Sequence, residues 1–190
     1  CAKDLASYSM ELHPAIAQES HYLDTYKKWT QKNQFHRKMA EAYMFEVTFF
    51  SSEFRQSYMR EWTLKKQLTP QEQTNLVSAE AEKSNKYFEF LLSSYISDPK
   101  KMDFEERKSR WSVYLVNPRG QRIEVDRIES LGKTTAIDQY FFPHLNRWNE
   151  VYRLKFLKET EGVAFLSSGE SEFQLVITGL DAEVKFAWSL

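Results

Sequence analysis

Residues 111–128, WSVYLVNPRGQRIEVDRI, decide the fold. An apolar-rich run leads into Asn117-Pro118-Arg119-Gly120, where proline presets its own φ and glycine accepts the left-handed region, so the chain turns back. Beyond the turn, Ile123, Val125 and Arg127 alternate with Glu124, Asp126 and Ile128. A period of two is that of a half-buried strand, and the stretch predicts a β-hairpin. The same period recurs downstream. In EVYRLKFLK, residues 150–158, Val151, Arg153, Lys155 and Leu157 oppose Tyr152, Leu154 and Phe156. FQLVITG and AEVKFAWSL predict a terminal strand pair across Leu180 and Asp181.

Towards the N-terminus the pattern becomes mixed. KYFEFLLSSYIS, rich in aromatic and branched residues and stopped by Asp98-Pro99, reads as a buried strand. AYMFEVTFF, residues 42–50, alternates Tyr43, Phe45, Val47 and Phe49 against Met44, Glu46 and Thr48. Between these two strands lie two helical stretches. Phe54, Tyr58 and Trp62 recur every four residues behind the Ser51-Ser52 cap, predicting a helix over 52–67. In LTPQEQ, Thr69 caps, Pro70 takes the first helical position and Glu72 bonds back to the cap, predicting a helix over 70–85. Leu23, Tyr26 and Trp29 predict another helix over 20–32, with residues 1–19 as a tether. The expected fold is α+β in a single domain: an antiparallel β-sandwich, immunoglobulin-like or C2-like, with an N-terminal helix and an inserted helical hairpin. Its strands fall at 42–50 and within 86–190.

Composition narrows the functional classes. The chain has 190 residues, 42% of them hydrophobic and 28% charged, with 5 Gly and 5 Pro, which is enough to bury a core without staples. Lys and Arg number 26 against 27 Asp and Glu, so no strongly basic face is expected and no nucleic-acid partner. The single Cys rules out an intrachain disulfide or a C-x-x-C site within this chain. No apolar run is long enough to span a bilayer as a helix.

Catalytic patterns are sparse. There is no G-x-S-x-G elbow and no S-x-x-K start, and SSGES at 167–171 has the composition of a loop tip. His13, His21, His36 and His144 lack H-E-x-x-H spacing, so neither a metal nor another cofactor is expected. Two groups of residues stand out as sites. Tyr140, Phe141, Phe142, His144, Trp148 and Tyr152 crowd into YFFPHLNRWNEVY and would make a platform for a sugar, a peptide or a protein if exposed, or close one end of the fold if buried. Lys27, Lys28, Lys32, Arg37 and Lys38 lie in an acid-free stretch that could rest on anionic headgroups, or simply form a solvated helix end.

The first residue is Cys1, the sole cysteine, and it resembles the mature end of a bacterial lipoprotein, where acyl chains are attached to an N-terminal cysteine. That resemblance implies a lipid anchor at Cys1, and Ala2 after it fits sorting to the periplasmic face of the outer membrane. The expectation is therefore a lipid-anchored envelope protein acting as a binding or assembly module, with the membrane and an envelope protein or glycan as partners. Two alternatives stand beside it: a small envelope enzyme acting on glycan or peptide, and a soluble cytosolic protein.

Overall fold

The computed structural model describes residues 14–37, 41–106, 108–180 and 182–190; for 14–20, 37 and 41 the description extends to the backbone alone. The alternation read in AYMFEVTFF is realised in β2 (Glu41–Phe49), where Tyr43, Phe45, Val47 and Phe49 are all buried. This strand belongs to a five-stranded antiparallel sheet in the order β1 (Thr30–Arg37), β2, β3 (Tyr87–Ile96), β7 (Glu150–Leu157) and β6 (Arg127–Ser130). The register sets Phe49 opposite Phe90, Phe90 opposite Leu154 and Leu154 opposite Ile128, an apolar row across four strands. Residues one step along, such as Thr48, Leu91 and Arg153, therefore point to the other face.

A second antiparallel sheet has the order β11 (Glu183–Ser189), β10 (Glu172–Gly179), β4 (Trp111–Val116) and β5 (Arg122–Glu124). Its alternate residues Phe173, Leu175, Ile177, Val184, Phe186, Trp188, Trp111, Val113 and Leu115 are buried. Rings of the two sheets meet directly: Phe49 with Phe173 at 5.2 Å, Phe90 with Trp188 at 5.3 Å and Phe45 with Trp111 at 5.5 Å between centroids. A short ribbon, β8 (Glu159–Thr160) with β9 (Val163–Ala164), follows β7. Where the edge strands approach, the Gln31 side-chain amide of β1 bonds both ways with the backbone of Ala187 on β11: Nε2 donates to its carbonyl, and its N–H donates to Oε1 at 3.3 Å.

Helices cover the opposite face of the five-stranded sheet. α1 (Pro14–Trp29), α2 (Ser52–Lys66) and α4 (Ala136–Phe141) pool rings there, with Tyr22, Phe54 and Tyr58 touching Phe141 or Phe142. α2 and α3 (Pro70–Lys86) form the inserted pair expected between β2 and β3, and the Thr69–Glu72 capping box is present with both reciprocal bonds. The chain is thus α+β with antiparallel sheets.

Three boundaries differ from expectation. α1 begins at Pro14 rather than near residue 20 and ends at Trp29, so residues 30–37, read as helix end and basic stretch, are the edge strand β1. Their polar composition hid an alternation that β2 imposes by pairing, with Thr30 and Thr48 hydroxyls 2.8 Å apart. QRIEVDRI is not one hairpin arm: β5 pairs with β4, the chain leaves that sheet at Val125, and β6 joins the other sheet beside β7. The hand-over is sealed by the Asp126 N–H donating to the Lys155 carbonyl at 2.8 Å. α4 was not expected at all. The tether read over 1–19 falls outside the described residues up to residue 13, and Cys1 and Ala2 lie there.

Candidate functional site

Alternation along β3 and β7 aims Glu89 and Arg153 at the helical layer, where water is scarce, and a buried charge is tolerated only if it is paired. Arg55, one turn into α2 behind its Ser51 cap, supplies the partner. Its guanidinium donates to Glu80 on α3 at 2.5 Å, to Glu89 at 2.6 Å and to the Phe50 carbonyl at 3.1 Å. Arg153 donates to the other Glu89 oxygen at 2.8 Å, and Lys83 closes the chain on Glu80 at 2.7 Å. The Phe50 ring lies about 5 Å from both guanidinium carbons, at 5.2 Å from Arg55 and 5.1 Å from Arg153. Burial alone would push the Glu89 carboxyl up, but Arg153 and Arg55 beside it hold it below the usual carboxylate value.

Arg153 is therefore fixed by Glu89 on one side and Phe50 on the other. Beyond it opens a cleft of about 50 Å³, bounded by the loop Leu131–Thr134 and by Asp138 of α4, with Tyr58, Leu91 and Val151 in its wall. Asp138 is engaged in capping α4, accepting from the Thr135 N–H at 2.8 Å and from its hydroxyl at 2.6 Å. Burial pushes the Tyr58 phenol up to about 12, so this ring in the wall stays neutral. Among the described residues, four buried side-chain polar atoms have no hydrogen-bond partner: Arg153 Nε, Thr134 Oγ1, Ser93 Oγ and His144 Nε2. Arg153 and Thr134 line the cleft, and Ser93 sits opposite Val151 in the strand register. Two larger, open grooves, about 500 Å³ beside β10 and β11 and about 610 Å³ beside β8 and β9, are lined by none of these four.

The residues singled out in the sequence are not gathered on one surface. Phe141 and Phe142 are buried among the rings of α1 and α2, while Tyr140 is half-buried with its hydroxyl donating to Glu61. Tyr152 is buried on the opposite face of the sheet, towards β4, and donates to the Met102 carbonyl at 3.1 Å. His144 stacks beside Tyr26, its ring nitrogen Nδ1 meeting the Tyr26 hydroxyl; burial, and then Lys32, lower its pKa to about 4. Of the six, Trp148 alone is at the surface, 63% exposed with the Arg147 guanidinium 4.5 Å from its ring centroid. The aromatic platform is thus corrected to one exposed ring beside a closed cluster, because alternation in β7 and the α4 turn send neighbouring rings inward on both sides of the sheet.

The basic stretch is divided as well. Lys27 and Lys28 are exposed on the last turn of α1, where Lys28 pairs with Glu53 at 2.5 Å. Lys32 stands on β1 opposite Glu46, whose carboxyl is pushed up by burial against the opposing effect of Lys32. The Arg37 side chain and Lys38 lie outside the described residues. No three His, Cys, Asp or Glu side chains converge as a metal site among the described residues, and no described helix is long and apolar enough to cross a membrane.

Sequence reasoning missed Arg55, Arg153 and Thr134. Arg153 was visible only as a polar step in the alternation of β7, and Arg55 as a polar position on an amphipathic helix. The loop ahead of α4 did carry a signal, the Thr135-x-x-Asp138 capping box. No protein-family model matches the chain, and comparison with the curated proteins and with the solved structures found no match.

Proposed function

We propose that this is a lipid-anchored envelope protein, attached through an acylated Cys1, whose folded part works by binding rather than by catalysis. The anchor rests on the resemblance of the N-terminal cysteine to that of lipoproteins, and Ala2 favours the periplasmic face of the outer membrane. On this reading the two facing sheets are the layers of a β-sandwich of immunoglobulin-like or C2-like kind, a scaffold that presents recognition groups on rigid strands. The observation that carries the binding half is Arg153: a guanidinium held by Glu89 whose buried Nε–H has no partner, on a residue that lines a cleft. Preorganised donors of this sort recognise a ligand group without paying again for ordering. At about 50 Å³ the cleft is well below the few hundred Å³ of a pocket that swallows a small molecule, so it suits one protruding group of an envelope protein or glycan partner.

Intact mass and detergent partitioning test the anchor, using the chain expressed with its upstream coding region in a diderm bacterium beside a Cys1→Ser control. Acyl mass and detergent partitioning, both lost in the control, are expected. An unmodified product that stays in the aqueous phase removes the anchor.

A further inference from the structure

The buried part of the network is balanced: Arg55 and Arg153 are set against Glu80 and Glu89, while Lys83, 45% exposed, carries its charge into solvent. The two unpartnered atoms on cleft-lining residues, Arg153 Nε and Thr134 Oγ1, can both donate, and buried donors in native proteins are almost always met by an acceptor. Lys133 and Asp138, of opposite charge, lie in the same wall. Leu131, 46% exposed, forms an apolar lip.

We infer that the cleft takes the carboxylate of an amphipathic ligand, one oxygen on the Arg153 Nε–H and the other on the Thr134 hydroxyl, with the apolar remainder leaving over Leu131. This names the ligand chemistry of the binding module proposed above and rests on that reading. A planar carboxylate with two acceptor oxygens matches two donors, and a guanidinium N–H paired with a carboxylate makes one of the stronger hydrogen bonds. A phosphate brings a second charge towards Asp138, and a sugar ring exceeds the volume.

The test is a titration of the ¹⁵N-labelled chain followed by NMR at the backbone amides of 131–135 and the Arg153 Nε–H, at constant ionic strength. The probes are acetate, hexanoate, acetamide and inorganic phosphate, each to about 100 mM, beyond the millimolar range that a single small group reaches. Saturable shifts with acetate are expected, hexanoate binding at least fivefold more tightly through Leu131 and acetamide at least tenfold more weakly. Arg153→Gln removes one of the two arginines that hold Glu89 and endangers the fold, so Thr134→Val carries the mutational arm: acetate affinity falls at least fivefold while the remaining amide spectrum is unchanged. Acetamide or phosphate binding in the cleft as well as acetate overturns the carboxylate assignment but keeps a binding module. No shift with any probe overturns the assignment and the cleft as recognition site together, whereas the Cys1 anchor is read separately by mass. Acetate affinity unchanged in Thr134→Val also overturns the inference.

Discussion

The two faces of the five-stranded sheet are built from alternate residues of the same strands, yet they solve burial in opposite ways. Towards the second sheet, Phe45, Phe49, Phe90, Leu92, Leu154 and Phe156 meet other apolar side chains and little else. Towards the helices, the same strands turn Thr48, Glu89, Ser93 and Arg153: Arg55 of α2 reaches down to Glu89, Arg153 bonds the same carboxylate, and Thr48 is met by Thr30 of β1. The apolar face tolerates exchange among shapes but not loss of volume; the charged face tolerates neither an absent partner nor an unbalanced one. Recognition chemistry belongs to the second face, because polar groups held in low dielectric are fixed in place and strongly felt.

The largest effect expected from breaking this contrast is on the apolar side. Phe45→Ala, at a fully buried ring that touches Trp111 and Phe104, should cost about 4 kcal/mol in urea unfolding. A cost near 1 kcal/mol would mean the two sheets do not pack as described. On the charged side, Arg55→Met removes the common partner of Glu80 and Glu89 and should cost about 3 kcal/mol, since two buried carboxylates are left short of charge. That cost should shrink as the pH is lowered and those carboxylates take up protons. If it stays constant through the acid range, the network is not ionised.

A smaller effect distinguishes the helical layer by titration. His144 in the folded chain has a pKa of about 4 against an ordinary value of 6.5, so between those values the unfolded chain binds a proton that the folded chain refuses. Stability should therefore be complete above pH 6.5 and fall by about 2–3 kcal/mol as the pH drops towards 4. Glu89, held low by its arginines, adds a loss in the same direction at more acid pH. His144→Asn should flatten the pH 4–6.5 slope, and an unchanged slope would assign it to other groups. Smallest of all is Trp148→Ala, which at an exposed ring should move stability by less than about 0.5 kcal/mol, so any loss of partner binding in that variant reports contact rather than unfolding.

How much of this was legible depended on whether a residue's neighbours in sequence are also its neighbours in space. β2, β3, the α2–α3 pair with its capping box and the β10–β11 pair were all readable, because alternation, four-residue spacing and caps are local. β1 was not: TQKNQFHR has one large apolar residue, and its strand conformation comes from the edge of β2. Nor was the hand-over at Val125 and Asp126, since an unbroken alternation does not say which of two sheets receives each half. The candidate site was the least legible part. Positions 55, 80, 89 and 153 come from four elements, and each alone has the pattern of a polar residue facing water.

The Gln31 amide laid against Ala187 has a consequence of its own. A side-chain amide carries the same donor and acceptor as a peptide group, so this contact occupies the backbone groups that an incoming strand would need in order to add to β11. Exposed strand edges invite templated growth from one molecule to the next. Here one glutamine acts as a plug in that seam, and with Lys32 on β1 and Lys185 on β11 it guards against self-association the side of the molecule where the two strands lie together.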